Sequence, residues 1–202
     1  MNELLKRIET AITEIGHGWT SVEKAQTMAK QIVELRPEIS VEIGVYAGKG
    51  MVSMALANDF IDYGMVIGID PYLPRASVEG QLDPNDQKFW GALDHEAIYK
   101  LCQENLLKYG VSHRALLLRS TSDDFAPPEN IGFLRIDGNH GEQAARDFER
   151  YAPKMKVGGL LYADDINWTG MAISKAVAKL KESGQFVELM AIDDGVVLKR
   201  IK

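Results

Sequence analysis

Gly132–Trp168 reads GFLRIDGNHGEQAARDFERYAPKMKVGGLLYADDINW. A short apolar run, Phe133 to Ile136, stops abruptly at Asp137-Gly138-Asn139-His140. A helical pattern follows, with Ala144, Ala145, Phe148, Tyr151 and Ala152 on one stripe and Pro153 ending it. After Gly158-Gly159 a second apolar run, Leu160 to Ala163, ends in Asp164-Asp165. Two neighbouring parallel strands joined by one helix bring their carboxyl ends side by side, the edge where open α/β sheets bind ligands. Asp137, Asp164, Asp165 and His140 then converge on one crevice. Carboxylates that close repel unless a cation or a proton separates them, so the pattern points to a hard divalent metal with oxygen ligands. The bland readings are an acidic pair that caps the turn before Trp168, and an imidazole that caps a helix or bonds Asp137.

Upstream, the same strand-to-helix plan recurs. Ser40 to Ile43 is a short strand; Gly44-Val45-Tyr46-Ala47-Gly48-Lys49-Gly50 follows, then a helix, Met51 to Asp62. Such a turn lets a nucleoside ligand approach bare backbone, although strand-to-helix turns also use glycine for structural reasons alone. Its G-x-x-x-G-x-G spacing is not the G-x-G-x-x-G of dinucleotide folds, which speaks against a nicotinamide-dependent oxidoreductase. No Ser or Thr follows Gly48-Lys49, so it is not a phosphate loop either. Val66 to Ile69 is the next strand, and Asp70 at its end can accept both hydroxyls of a ribose or serve as a turn residue before Pro71. Coupled to the glycine turn, the ribose reading is the stronger. Ala115 to Leu118 is a further strand, after which Ser120 to Asp124 can bond an adenine edge or cap the turn before Pro127-Pro128.

The stretch 71–93 is irregular, with Pro71, Pro74, Pro84, Gly80 and Gly91, and reads as a substrate lid. Phe89 and Trp90 can close over a substrate or pin the loop to the core. Asp94 caps a helix to about Tyr109 with Ile98, Leu101, Cys102 and Leu106 buried, which makes Cys102 a core filler and leaves His95 at the surface. Residues 1–36 hold two helices. In the first, Asn2 to Ile15, the face of Leu4, Leu5, Ile8, Ile12 and Ile15 packs on the sheet or on a second copy in a homodimer. The second is capped by Thr20 or Ser21 and runs to about Leu35. Trp168-Thr169-Gly170 leads to a helix, Met171 to Glu182. Phe186 to Ile192 and Val196 to Ile201 form an antiparallel hairpin around Asp193-Asp194-Gly195. Trp19 and Trp168 are candidate walls of the site, or core aromatics.

A chain of 202 residues fits a single domain, 1–202. Its net charge of −6 speaks against broad electrostatic binding to nucleic acid or an anionic membrane. The single cysteine, Cys102, excludes an internal disulfide and fits a reducing cytoplasm. The amphipathic N-terminus shows no signal peptide, and no segment reads as a membrane span.

VEIGVYAGKG (41–50), GIDPY (68–72) and the segment from Leu134 to Trp168, with the terminal hairpin, resemble a class I S-adenosylmethionine-dependent methyltransferase. The resemblance extends to the metal-dependent branch that includes catechol O-methyltransferase and the small O-methyltransferases of sugars and related natural products. It implies a Rossmann-like α/β fold, a mostly parallel seven-stranded sheet with a C-terminal antiparallel hairpin and helices on both faces. It also implies that Glu42, Gly44, Tyr46 and Gly48 line the methionine part of S-adenosylmethionine, that Asp70 holds the ribose, and that Ser122 and Asp123 meet the adenine. Asp137, Asp164 and Asp165 would bind Mg²⁺ or another hard divalent cation, with a small hydroxylated acceptor beside them. The chain departs from the catechol enzymes at Asp165, commonly Asn there, and at His140, which stands where they carry a catalytic Lys. His140 keeps a general base in the site, while the change argues against a catechol acceptor. The implied activity is Mg²⁺-dependent methylation of a hydroxyl on a sugar or glycosylated metabolite; a cofactor-binding module without chemistry is the alternative.

Overall fold

The computed structural model describes residues 1–80, 83–168 and 171–202. Seven strands form one sheet: β1 Ile39–Ile43, β2 Met65–Ile69, β3 Ala115–Leu118, β4 Ile131–Ile136, β5 Met155–Ala163, β6 Phe186–Ile192 and β7 Gly195–Arg200. Their order is β3-β2-β1-β4-β5-β7-β6. The first five strands pair in parallel, and β7 runs antiparallel to both β5 and β6. The expected sheet and hairpin are therefore present. Strand order reverses between β1 and β4, which puts the ligand crevice at their carboxyl ends.

Period-two alternation divides the strand side chains between two cores. Phe133, Tyr162 and Val197 join Leu4, Ile8, Met28, Met54 and Cys102 on one face. Leu134, Ile136, Leu161 and Leu198 join Phe148, Ile173 and Val177 on the other. The first face is covered by α1 Asn2–Ile15, α2 Val22–Leu35, α3 Lys49–Phe60 and α6 His95–Lys108, the second by α7 Glu142–Tyr151 and α8 Ala172–Glu182. Every residue of α3 from Gly50 to Asn58 is buried, because α1 and α2 pack over it while its other side meets the sheet. An all-round buried helix cannot show an amphipathic stripe. Leu4, Ile8, Ile12 and Ile15 of the apolar face of α1 are likewise buried within the chain.

The stretch 71–93 is more regular than its prolines suggest. It contains α4 Pro74–Val78 and α5 Pro84–Ala92, each with proline in the first turn, where the missing N–H costs nothing. Gln81 and Leu82 of the expected lid, and Thr169 and Gly170 of the expected turn, lie outside the described residues.

One row of hydrogen bonds carries the sheet into the site. Asp70 N donates to Leu118 O (3.1 Å), Gly44 N to Ile69 O (3.0 Å), Asp137 N to Ile43 O (2.9 Å) and Asp164 N to Ile136 O (3.1 Å). Four candidate residues thus stand in one rank along the sheet's carboxyl edge.

Candidate active site

Above that rank lies a cavity of about 630 Å³. It is lined by Gly44, Tyr46, Asp70, Ser122, Asp123, Asp137, His140, Asp164 and Asp165 of the expected residues, and also by Trp19 and Trp168. Glu42 and Gly48 do not line it. Gly48 caps α3 with φ 90°, and a Cβ there would stand 2.9 Å from Cys102 Sγ, so its role is close packing. At Gly44, φ is 83° and a Cβ would fall 2.2 Å from the Asp137 carbonyl oxygen. Only glycine lets β1 and β4 end this close together.

Asp70 organises the glycine turn. Its Oδ2 accepts the N–H groups of Val45 (3.0 Å) and Tyr46 (2.9 Å), and its Oδ1 accepts that of Tyr72 (2.8 Å). Tyr72 completes the clasp by donating its hydroxyl to Tyr46 O at 2.9 Å. Both tyrosines hold positive φ, 51° and 48°, a conformation costly for a bulky side chain. The sequence offered ribose binder or turn residue for Asp70; the turn function is visible in these bonds.

Glu42 is wholly buried inside the sheet. It is the register partner of Arg135 on the adjacent strand, and Arg135 Nη1 donates to Glu42 Oε1 at 2.5 Å. Burial pushes the Glu42 carboxyl up to about 7 despite that guanidinium. The pair also dictates Gly50, where a Cβ would fall 2.0 Å from both Glu42 Oε1 and Arg135 Nη1. The expected contact of Glu42 with a cofactor is therefore replaced by an interior ion pair.

Arg135 has further partners: Asp164 Oδ2 at 2.8 Å, Asp137 Oδ2 at 2.6 Å and Thr20 Oγ1 at 3.0 Å. Burial works against its charge, but Asp137, Glu42 and Asp164 outweigh that and hold its pKa well above the usual value. On the other side of Asp164, Lys24 Nζ donates to Oδ1 at 2.6 Å and also to Asp194 Oδ1. Burial opposes an Asp164 anion, yet Arg135 and Lys24 together keep its pKa below the ordinary carboxylate value. The three carboxylates that the sequence joined around an ion do not gather as expected. Among the described residues, the acidic trio whose oxygens come within 4.8 Å of one another is Asp164, Asp165 and Asp194, without Asp137.

Asp165 instead holds His140. The imidazole Nε2 donates to Asp165 Oδ2 at 2.7 Å, and the ring stacks on Trp168 with centroids 4.4 Å apart. Asp165 is set for this by φ 54°, a left-handed turn straight after β5. Nδ1 of His140 is buried and has no hydrogen-bond partner among the described residues. Burial raises the pKa of Asp165, but His140 overrides it and the net direction is down.

At the far end of the cavity, Ser122 Oγ donates to Asp147 Oδ1 at 2.5 Å and accepts Gln143 Nε2 at 2.9 Å. Burial pushes Asp147 up to about 6, against the pull of Ser122 and Gln143. Asp123 is exposed and pairs with Arg150 at 2.8 Å and Arg146 at 3.4 Å. Over the mouth, Trp19, Tyr46, Phe89 and Trp90 form an aromatic group with centroid spacings of 5.3–5.9 Å. His95, expected at the surface, is buried on the cavity wall and donates through Nε2 to Trp90 O at 3.0 Å, which ties α6 to α5.

Sequence reasoning missed Lys24, Arg135, Asp147 and Asp194. An arginine within an apolar strand, flanked by Leu134 and Ile136, was the available signal: a charge there must find buried partners. Lys24 gave none, since a lysine in the first turn of an amphipathic helix is ordinarily solvated.

A parallel sheet with a terminal antiparallel hairpin, and a cavity over its β1–β4 switch point, defines the methyltransferase class of α/β fold. A family model described as a methyltransferase domain matches residues 41–166, and the chain belongs to that family. Solved structures agree on the fold. The chain is similar to the O-methyltransferase NovP, with 18% identity over 92% of this chain and 84% of that one and a TM-score of 0.70. It is also similar to an O-methyltransferase from Bacillus cereus in complex with SAH, at 11% identity, 99% and 91% coverage and TM-score 0.68. TomG from Streptomyces achromogenes, an O-methyltransferase of tomaymycin synthesis in complex with SAM, shows 13% identity, 99% and 90% coverage and TM-score 0.65. No curated protein matches the chain. No helix among the described residues is long and apolar enough to cross a membrane.

Proposed function

We propose that this methyltransferase moves a methyl group from S-adenosylmethionine to a hydroxyl oxygen of a small ring-bearing molecule, a sugar or glycosylated metabolite. The observation that carries the proposal is the Asp165–His140 pair on the cavity wall, which leaves the second imidazole nitrogen without a hydrogen-bond partner among the described residues. A cavity of this volume suits a nucleoside-sized ligand with an acceptor beside it. The residues present fit the cofactor. Gly44 and Tyr46 would meet the amino-acid part, Asp70 the ribose through its remaining acceptor capacity, and Ser122 and Asp123 the adenine. When bound, S-adenosylmethionine supplies a methyl group on a positively charged sulfur.

The chain's own residues supply the rest. Asp165 fixes the His140 tautomer with the proton on Nε2, so that Nδ1 offers its lone pair to an acceptor hydroxyl. The Trp168 stack holds the ring plane. Trp19, Phe89 and Trp90 offer aromatic surface for a sugar or planar ring and shield the reacting oxygen from water. Orientation of that kind supplies roughly 7–11 kcal/mol of barrier reduction in favourable cases. No step is assigned to the expected Mg²⁺, because each of its three expected ligands is already matched by a cation or imidazole of the chain. Transfer of labelled methyl to a panel of sugars and glycosides tests the proposal. Labelled ether product is expected; cofactor binding with no transfer to any hydroxylated acceptor would instead favour the module without chemistry.

A further inference from the structure

Two protein cations occupy the ground where a divalent ion was expected. Lys24 Nζ lies between Asp164 and Asp194, two members of the acidic trio. Arg135 takes the other oxygen of Asp164 and one oxygen of Asp137. Both are anchored. Arg135 is the penultimate residue of β4 and is 2% exposed, while Lys24 is 5% exposed and its ammonium is held by Asp164 and Asp194. The third expected ligand, Asp165, is engaged with His140. An ion on Asp164 would share a carboxylate with two buried positive charges.

We propose that Lys24 and Arg135 are built-in counter-ions that make this methyltransferase independent of divalent metal. They act as positioning residues. Their charges hold Asp137 and Asp164 at the carboxyl ends of β4 and β5, and so fix the backbone turns that carry His140 and Asp165. The inference rests on the methyl-transfer reading for its meaning, but the charge arrangement is measurable without any acceptor.

The test is a Mn²⁺ titration of chelator-treated protein saturated with S-adenosylhomocysteine, read by electron paramagnetic resonance of free Mn²⁺. Wild type is expected to bind none at the carboxylates up to millimolar Mn²⁺. Lys24→Ala, which removes the ammonium between Asp164 and Asp194, is expected to bind one ion at least tenfold more tightly than wild type. Lys24→Arg, which keeps the charge, is expected to remain blind to metal; a merely structural lysine would not produce that split. Stoichiometric Mn²⁺ binding by wild type, lost in Asp164→Asn, would overturn the proposal. So would Lys24→Ala binding no better than wild type, or Lys24→Arg binding as well as Lys24→Ala. Failure of S-adenosylhomocysteine to bind would count against the functional reading alone, since the Mn²⁺ result is read independently of it.

Discussion

Asp165 and His140 illustrate how one residue's role depends on its partner. Adjacent to Asp164 in sequence, Asp165 reads as half of a metal-binding pair; in the fold it orients an imidazole. His140→Ala should lower kcat by roughly 10²–10⁴-fold with KM within a few-fold; steady-state kinetics checks this, and an unchanged kcat removes His140 as the base. Asp147 makes a second case. Its folded pKa, about 6, lies above the ordinary value of 3.8, so between those pH values the folded state binds the extra proton. Stability from this group therefore falls as pH rises through that window and is level above it. Asp147→Asn keeps acceptors for Ser122 and Gln143 while removing the buried charge. It should flatten the pH dependence of Tm between pH 4 and 6 and gain on the order of 2 kcal/mol at pH 7.5. Thermal melts across pH settle it; a less stable variant at pH 7.5 contradicts it. At this scale nine of the eleven residues that the sequence proposed for the site line the cavity, since polar groups after apolar strands face one edge. It could not name their partners. Lys24 and Asp164 are 140 positions apart, and the pairing of Glu42 with Arg135 follows only from strand register.

The elements themselves were more legible. β3, β6 and α1 begin and end where the residue pattern places them, because caps, glycines and strict periodicity mark their ends. β5 is longer than its apolar run: Met155 to Gly159 belongs to it although Gly158, at φ 87°, interrupts the pattern. The prolines of 71–93 suggested irregular chain, but Pro74 and Pro84 sit at the first turns of α4 and α5, where they start helices. The glycine turn is the element most sensitive to change. Gly44→Ala puts a methyl group against the Asp137 carbonyl in a left-handed conformation. It should cost roughly 1–3 kcal/mol, seen as a lower Tm, and weaken cofactor binding more than acceptor binding. On the opposite wall, Trp90→Ala removes aromatic surface next to Trp19 and Phe89. Acceptor KM should rise about tenfold while cofactor affinity stays within a few-fold; equal loss of both would place Trp90 in the cofactor's half of the site.

Across the whole molecule, two cores on either side of one sheet hold a rigid edge, and the residues on that edge face a single cavity. The reversal of strand order at β1 and β4 is what gathers the glycine turn, Asp70, Asp137 and His140 into one place. The sequence marked this edge because β1, β2, β4 and β5 each run straight into a glycine or an acid. The electrostatic balance of the site was hidden, because Lys24 arrives from a helix that precedes the sheet altogether. A ligand that binds only the folded chain stabilises it by mass action, about 2.7 kcal/mol at a hundred times Kd. The most direct measurement is a calorimetric titration of the protein with S-adenosylmethionine in buffer containing EDTA. The account predicts saturable one-to-one binding in the micromolar range. Absence of binding up to millimolar ligand, or binding that appears only when Mg²⁺ is restored, would contradict it.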